Sequence, residues 1–260
     1  MTGSLGKLSM YTMQGHDEVI IRTKGGPTKR QIKTKPEFEK LRRNNSEWAG
    51  CTKMGSQIRE SIYPMKRLED YPITGTLNAI CKHIQKQDTE SETGKRSIRL
   101  SEHKNMINGL SFSRKQMLES VLRVPVTTSL DREAGVATIE IPAINTDLYL
   151  YNFRGLPSFR IVACLGGVCD MTYSEAEKRY ARSEYLLVDK ERGVYQGDWM
   201  PATGTQPGVT IQLNYPRNVM PIADDVTMLV CLGVEFGKNG YGNTTEPVKY
   251  AGTGKIVRVG

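Results

Sequence analysis

The apolar residues of this 260-residue chain change their spacing once, near Val124. Before that point they recur mostly at helical intervals; after it they alternate with a period of two. The start is an exception, because GKLSMYTMQGHDEVIIRTKGG holds two extended runs, Lys7 to Met13 and Glu18 to Lys24, closed by Gly25-Gly26-Pro27. These predict a β-hairpin or a pair of strands. Two strands alone are marginal in water, so they must pair with the distal sheet of the chain or with a neighbouring molecule. Thr34-Lys35-Pro36-Glu37 reads as a helix start, with Thr34 as N-cap, Glu37 closing a capping box and Pro36 in the first turn. Phe38, Leu41, Trp48, Cys51, Ile58 and Ile62 then mark one apolar helix face, with Gly50 and Gly55 as candidate breaks and Pro64 as the stop. Ile73, Leu77, Ile80 and Ile84 mark a second helix, and the polar residues 85–97 an exposed loop.

Beyond Val124 the period of two is plain. Ala137, Ile139 and Ile141 share one face of GVATIEIP, and Val209, Ile211 and Leu213 one face of VTIQLN. In VTMLVCLGVEF the inward set is Val226, Met228, Val230, Leu232, Val234 and Phe236. With SFRIVACLGG, EYLLVDK and KIVRV this makes six or seven strands separated by Gly, Pro and Asn turns. The expected class is α+β: an N-terminal β-arm and helices followed by an antiparallel, immunoglobulin-like β-sandwich. The division by sequence is a strand arm with a basic connector (1–35), a helical region (36–123) and a sandwich domain (124–260).

Charge changes the picture more than composition does. Residues 1–130 carry 23 Lys and Arg against 13 Asp and Glu, whereas residues 131–260 carry 13 against 15. The net +8 therefore belongs to the first half, and is densest in RTKGGPTKRQIKTKPEFEKLRRNN, residues 22–45. Such asymmetry points to a polyanion, an acidic membrane surface, or complementary contact between copies of the chain. The candidate contacts are Arg22, Lys24, Lys29, Arg30, Lys33, Lys35, Arg42 and Arg43. Residues 22–37 contain no aromatic side chain for stacking on bases, which weakens the nucleic-acid reading.

Sites for chemistry are scarce. The three histidines, His16, His83 and His103, lie on an expected turn, helix and loop, and no G-x-S-x-G elbow accompanies them. Asp224-Asp225 reads as a solvated turn, while Glu235 alternates out of its apolar strand face and is placed to pair with a cation. GTGK at 252–255 lacks a phosphate-loop frame. Five cysteines, an odd number at unrelated spacings, read as reduced thiols rather than disulfides or a zinc site. No catalytic residue, metal site or cofactor is expected. Neither a secretory signal nor an apolar run long enough to cross a membrane is visible, so the expected location is the cytoplasm or an assembly released from the cell.

The hairpin-like start, the following KPEFEKLRRNNSEWAGC, the central SLDREAGVATIEIPA and PSFRIVACLGG, and the late VTMLVCLGVEF together resemble a group of uncharacterised proteins common in Bacteroidota. The resemblance implies one architecture of arm, helices and sandwich. It implies no activity and no functional residue.

The function expected from these observations is non-enzymatic and structural: a protein that assembles with copies of itself into a filament, ring or shell through its strand arm and basic connector. One alternative is a nucleic-acid-associated protein holding phosphates with the basic segment 22–43. Another is ligand or carbohydrate recognition by sandwich loops around Tyr241 and Trp199.

Overall fold

The computed structural model describes residues 3–13, 18–23, 25–182, 192–216 and 221–260. The expected turn carrying His16, the residue Lys24 and the expected strand EYLLVDK lie outside them. The chain separates into two compact units, Met1–Asn44 and Asn45–Gly260, so residues 45–123 fall in the same unit as the sandwich.

In the first unit, β1 (Gly3–Leu5), β2 (Leu8–Thr12) and β3 (Val19–Thr23) form an antiparallel meander in that order. The expected hairpin is present as β2 and β3, with Leu8 opposite Thr23 and Met10 opposite Ile21. The added strand β1 turns back through Gly6, whose φ of +56° is one that L side chains rarely adopt. A six-residue helix, α1 (Lys29–Thr34), follows. Its N-cap is Thr28, not Thr34: Thr28 Oγ1 accepts from the Gln31 amide at 3.2 Å, and Gln31 Oε1 accepts from the Thr28 amide at 2.7 Å. The box expected at Thr34 for the helix after Pro36 does not form, because the 3-10 turn that Pro36 opens has Lys35 at its N-cap and no side-chain capping bond. Thr34 instead donates its hydroxyl to the Arg30 carbonyl, and Pro36 opens a short 3-10 turn leading into α2 (Glu39–Ser61).

The second unit is layered. Strand β7 (Ser158–Cys169) and strand β14 (Val226–Asn239) pair antiparallel over twelve positions and form the centre of the large sheet. Strand β10 (Arg192–Gln196) and the two-residue β11 (Met200–Pro201) pair with β7. On the far side, β15 (Thr245–Pro247) and β16 (Thr253–Val259) pair with successive parts of β14. A smaller sheet runs in the order β13 (Val209–Asn214), β5 (Val136–Ile141), β4 (Thr127–Asp131). Short pairs complete the strands: β6 (Ile144–Asn145) with β12 (Thr205–Gln206), and β8 (Met171–Ser174) with β9 (Arg179–Arg182).

Two cores sandwich the large sheet. Val226, Met228, Val230, Leu232, Val234 and Phe236, the face read from the sequence, pack against Ala137, Ile139, Ile141, Ile211 and Leu213 of the small sheet. The opposite face, with Val162, Cys164, Leu229, Cys231 and Ile256, packs on Cys51, Met54, Ile58, Ile62 of the α2 region and Leu77, Cys81 and Ile84 of α3 (Thr74–Gln85). Burial on both faces is why β7 and β14 read as near-continuous apolar runs while β5 and β13 alternate. All five cysteines are buried, and none forms a disulfide.

Helix α2 is continuous through Gly50 and Gly55, which serve as close-approach points instead of breaks. A side chain at Gly50 would strike the Tyr180 ring, and one at Gly55 the Asn78 amide. Its buried stripe passes through Glu47, Cys51, Met54 and Ile58, leaving Trp48 exposed. Further down, the Ser61 carbonyl lies against Gly166 of β7, and Leu68 packs onto Gly233, Gly252 and Gly254. These contacts fix the 63–68 turn on the sheet. Two further short helices, α4 (Leu118–Val121) and α5 (Thr146–Tyr149), connect the layers. The protein is thus α+β, with a strand arm, a helical layer and an antiparallel two-sheet sandwich.

Candidate functional site

The helical layer covers only part of the large sheet. Where it stops, the 63–69 turn, β10 and the residues after β15 surround a cavity of about 620 Å³. On its floor Arg160 of β7 faces Glu235 of β14, directly opposite in register. Arg160 Nε and Nη2 donate to Glu235 Oε2 at 2.7 and 2.5 Å, and both side chains are buried. Glu235 therefore pairs with a cation, as its position in the alternating pattern implied. The Gln196 amide, oriented with its carbonyl towards Arg160, accepts from the same guanidinium. The guanidinium carbon lies 4.3 Å from the centre of the Trp199 ring. Trp199 reaches this position because Gly237 has no side chain: a Cβ there would come within 2.9 Å of the indole.

Around this floor the walls are mixed. Val162, Val194, Met65 and Pro247 supply apolar surface, while Lys66, Arg67 and Lys249 place three cations at the cavity. Among the described residues Glu69 is the one carboxylate besides Glu235 on that lining, and burial raises its pKa against the opposing pull of Lys66 and Arg59. Lys66 and Lys249 lie over the exposed rings of Tyr63 and Tyr250 at 5.4 and 4.7 Å. The Arg67 guanidinium makes no hydrogen bond or ion pair among the described residues.

The loop residues singled out by sequence part company here. Trp199 stacks on Arg160 of the cavity floor without lining the cavity itself, whereas Tyr241 stands 97% exposed on the loop between β14 and β15. Sequence alone missed Arg160, Arg67 and Lys249, because a cation on a strand or turn carries no signal until its neighbours are known.

The basic segment is divided in its commitments. Arg42 donates to the carbonyls of Ile32 and Lys35, both at 2.8 Å, and so closes the end of α1. Arg43 pairs with Glu39 one turn earlier, Lys35 pairs with Glu37, and the Arg22 guanidinium lies 5.3 Å from the Tyr11 ring centre. Lys29, Arg30 and Lys33 are left without such side-chain contacts among the described residues. Lys24 lies outside those residues.

The meander next to that segment has two unlike faces. Residues opposite one another in the register share a face, which places Leu5, Leu8, Met10, Val19 and Ile21 together. Leu5, Leu8, Val19 and Ile21 are 71, 39, 43 and 59% exposed, and no residue of the three strands is buried.

Elsewhere, Asp224 and Asp225 border a second cavity of about 510 Å³ beside Asp170. Burial raises the Asp170 carboxyl, which accepts from the Ser101 amide and hydroxyl at 3.0 and 2.6 Å. Among the described residues no cluster of His, Cys, Asp or Glu is arranged to hold a metal ion, and no helix is long and apolar enough to cross a membrane.

No protein-family model matches the chain, and no curated protein or solved structure matches it either. Its function must be argued from its own geometry.

Proposed function

We propose that this protein is a structural subunit that assembles with copies of itself by stacking the apolar face of its N-terminal meander on the same face of a second copy. The observation that carries this reading is the exposure of Leu5, Leu8, Val19 and Ile21 on one side of a sheet that contains no buried residue. A three-stranded sheet needs a covered apolar face to be stable in water. Burying the exposed half of four such side chains contributes about 4 kcal/mol per arm, from roughly 1.5–3 kcal/mol for each fully buried side chain.

Charge supports a copy as the occupant. The segment from Gly3 to Thr23 holds Lys7 and Arg22 against Asp17 and Glu18, so two such sheets can stack without net repulsion. Among the described residues the outer edges of β1 and β3 pair with no further strand, and they offer backbone hydrogen bonds to a lateral neighbour. The internal use of Arg42, Arg43 and Lys35 speaks against a continuous phosphate-binding track along residues 22–43.

Light scattering on the purified chain tests the proposal. The wild type is expected above the monomer mass of 29.1 kDa, and Leu5→Asp with Ile21→Asp is expected to return it to that mass with its circular dichroism preserved. A monomer in both cases overturns the reading, as does an assembly that survives the double substitution. Assembly that appears only with added RNA or DNA would favour the polyanion alternative instead.

A further inference from the structure

We infer that the cavity over the Arg160–Glu235 pair is a binding site for a small organic anion that also presents an N–H or O–H donor. Its size, about 620 Å³, lies within the range of small-molecule sites. The wall formed by the 63–68 turn is rigidly placed, since Leu68 is seated against three glycines of β14 and the β16 region. A preformed cavity costs a ligand little reorganisation.

The chemistry follows from the groups that face it. Glu235 uses one oxygen, Oε2, for both hydrogen bonds from Arg160. Its Oε1 accepts no hydrogen bond among the described residues, and the carboxylate lines the cavity. That oxygen calls for a donor. The pair itself is close to neutral, so the field of the cavity is set by Lys66, Arg67 and Lys249 against Glu69. Three cations against one carboxylate favour a negative group on the ligand, and Arg67 has its full fork of donors free for a carboxylate, phosphate or sulfonate. Between these two poles the surface of Val162, Val194 and Pro247 fits an apolar or ring-shaped body.

A buried ion pair also needs a reason to be there. Well-packed apolar residues in place of a buried ion pair are often as stable or more so. Along the same sheet face the next positions are Val162 opposite Gly233 and Cys164 opposite Cys231, none of them charged. The charged pair occurs where the helical layer stops and the sheet opens to the cavity, which is the place where a ligand would meet it.

Anilinonaphthalene sulfonate has the required parts: a sulfonate, one N–H donor and an aromatic body. The wild-type protein is expected to bind it at one saturable site, read by dye fluorescence. Arg67→Glu combined with Lys249→Glu is expected to weaken binding by about tenfold or more, equivalent to about 1.4 kcal/mol per tenfold. Val194→Trp, at an exposed position of the lining, is expected to block the site without disturbing the core. Leu5→Asp with Ile21→Asp, in the other unit, is expected to leave the affinity unchanged. Three results overturn the proposal: no saturable binding by the wild type, binding indifferent to the charge reversals and to Val194→Trp, or binding lost with the arm substitutions. The last would show that the dye reads the exposed meander, and the arm variant thus separates this inference from the assembly reading.

Discussion

Replacing Glu47 with glutamine removes one charge from the interior of the helical layer. Glu47 is fully buried on α2 and gathers four donors. Oε1 accepts from the Gly94 amide at 2.9 Å and Arg96 Nε at 2.6 Å; Oε2 accepts from Arg96 Nη2 at 2.7 Å and Lys82 Nζ at 2.5 Å. Burial by itself would raise this carboxyl, but the hydrogen bonds from Arg96, Gly94 and Lys82 outweigh it and hold the pKa at about 2, against an ordinary 4.5. At about 1.4 kcal/mol per tenfold change in acidity, the ionised carboxylate stabilises the fold by about 3 kcal/mol near neutral pH. Because the folded value is the lower one, that stabilisation is complete above about pH 4.5 and is lost as the pH falls towards 2. Urea unfolding of wild type and Glu47→Gln is expected to show a difference of about 3 kcal/mol near pH 7, narrowing by about 2 kcal/mol near pH 3. Asp88, whose carboxyl is raised by burial but held at about 2 by the amides of Ser91 and Ser97, is common to both proteins and cancels in the difference. A difference that does not change with pH, or one below about 1 kcal/mol near neutrality, would refute the argument.

Two further outcomes follow from the large sheet. Gly166→Ala places a methyl group against the Ser61 carbonyl, a backbone atom that cannot swing away; it is expected to lower stability by about 1–3 kcal/mol in chemical denaturation. Glu235→Ala strands the buried guanidinium of Arg160 and is expected to cost about 3 kcal/mol, whereas Arg160→Met with Glu235→Leu stays within about 1 kcal/mol of wild type while losing dye binding. Equal losses for the single and double substitutions would mean that the pair contributes net stability and has no need of a ligand to explain it.

The candidate site was legible in fragments. Glu235 could be singled out because it breaks an apolar run at an outward position, and Trp199 because a large aromatic residue sits in an expected loop. That both converge on Arg160 depends on the register of β7 with β14 and on the absence of a side chain at Gly237, and neither is a local property. The buried face of α2 differs from its apolar spacing for a similar reason. Trp48 fits an apolar spacing yet is exposed, while Glu47 is buried because Arg96 and Lys82 arrive from elsewhere in the chain to pair with it.

By itself the sequence determined the α+β class, the hairpin β2–β3, the second helix and the inward faces of β5, β13 and β14, since each depends only on a local period that matches the geometry of a helix or strand. Only the tertiary structure decided what covers those faces. A run apolar at every position is compatible with one buried face or two, and it is the glycines at 166, 233 and 254 that let the end of α2 and the 63–68 turn approach closely enough to bury the second. The same layer ends short of Arg160 and Glu235, and that boundary, set by packing between distant segments, creates the cavity.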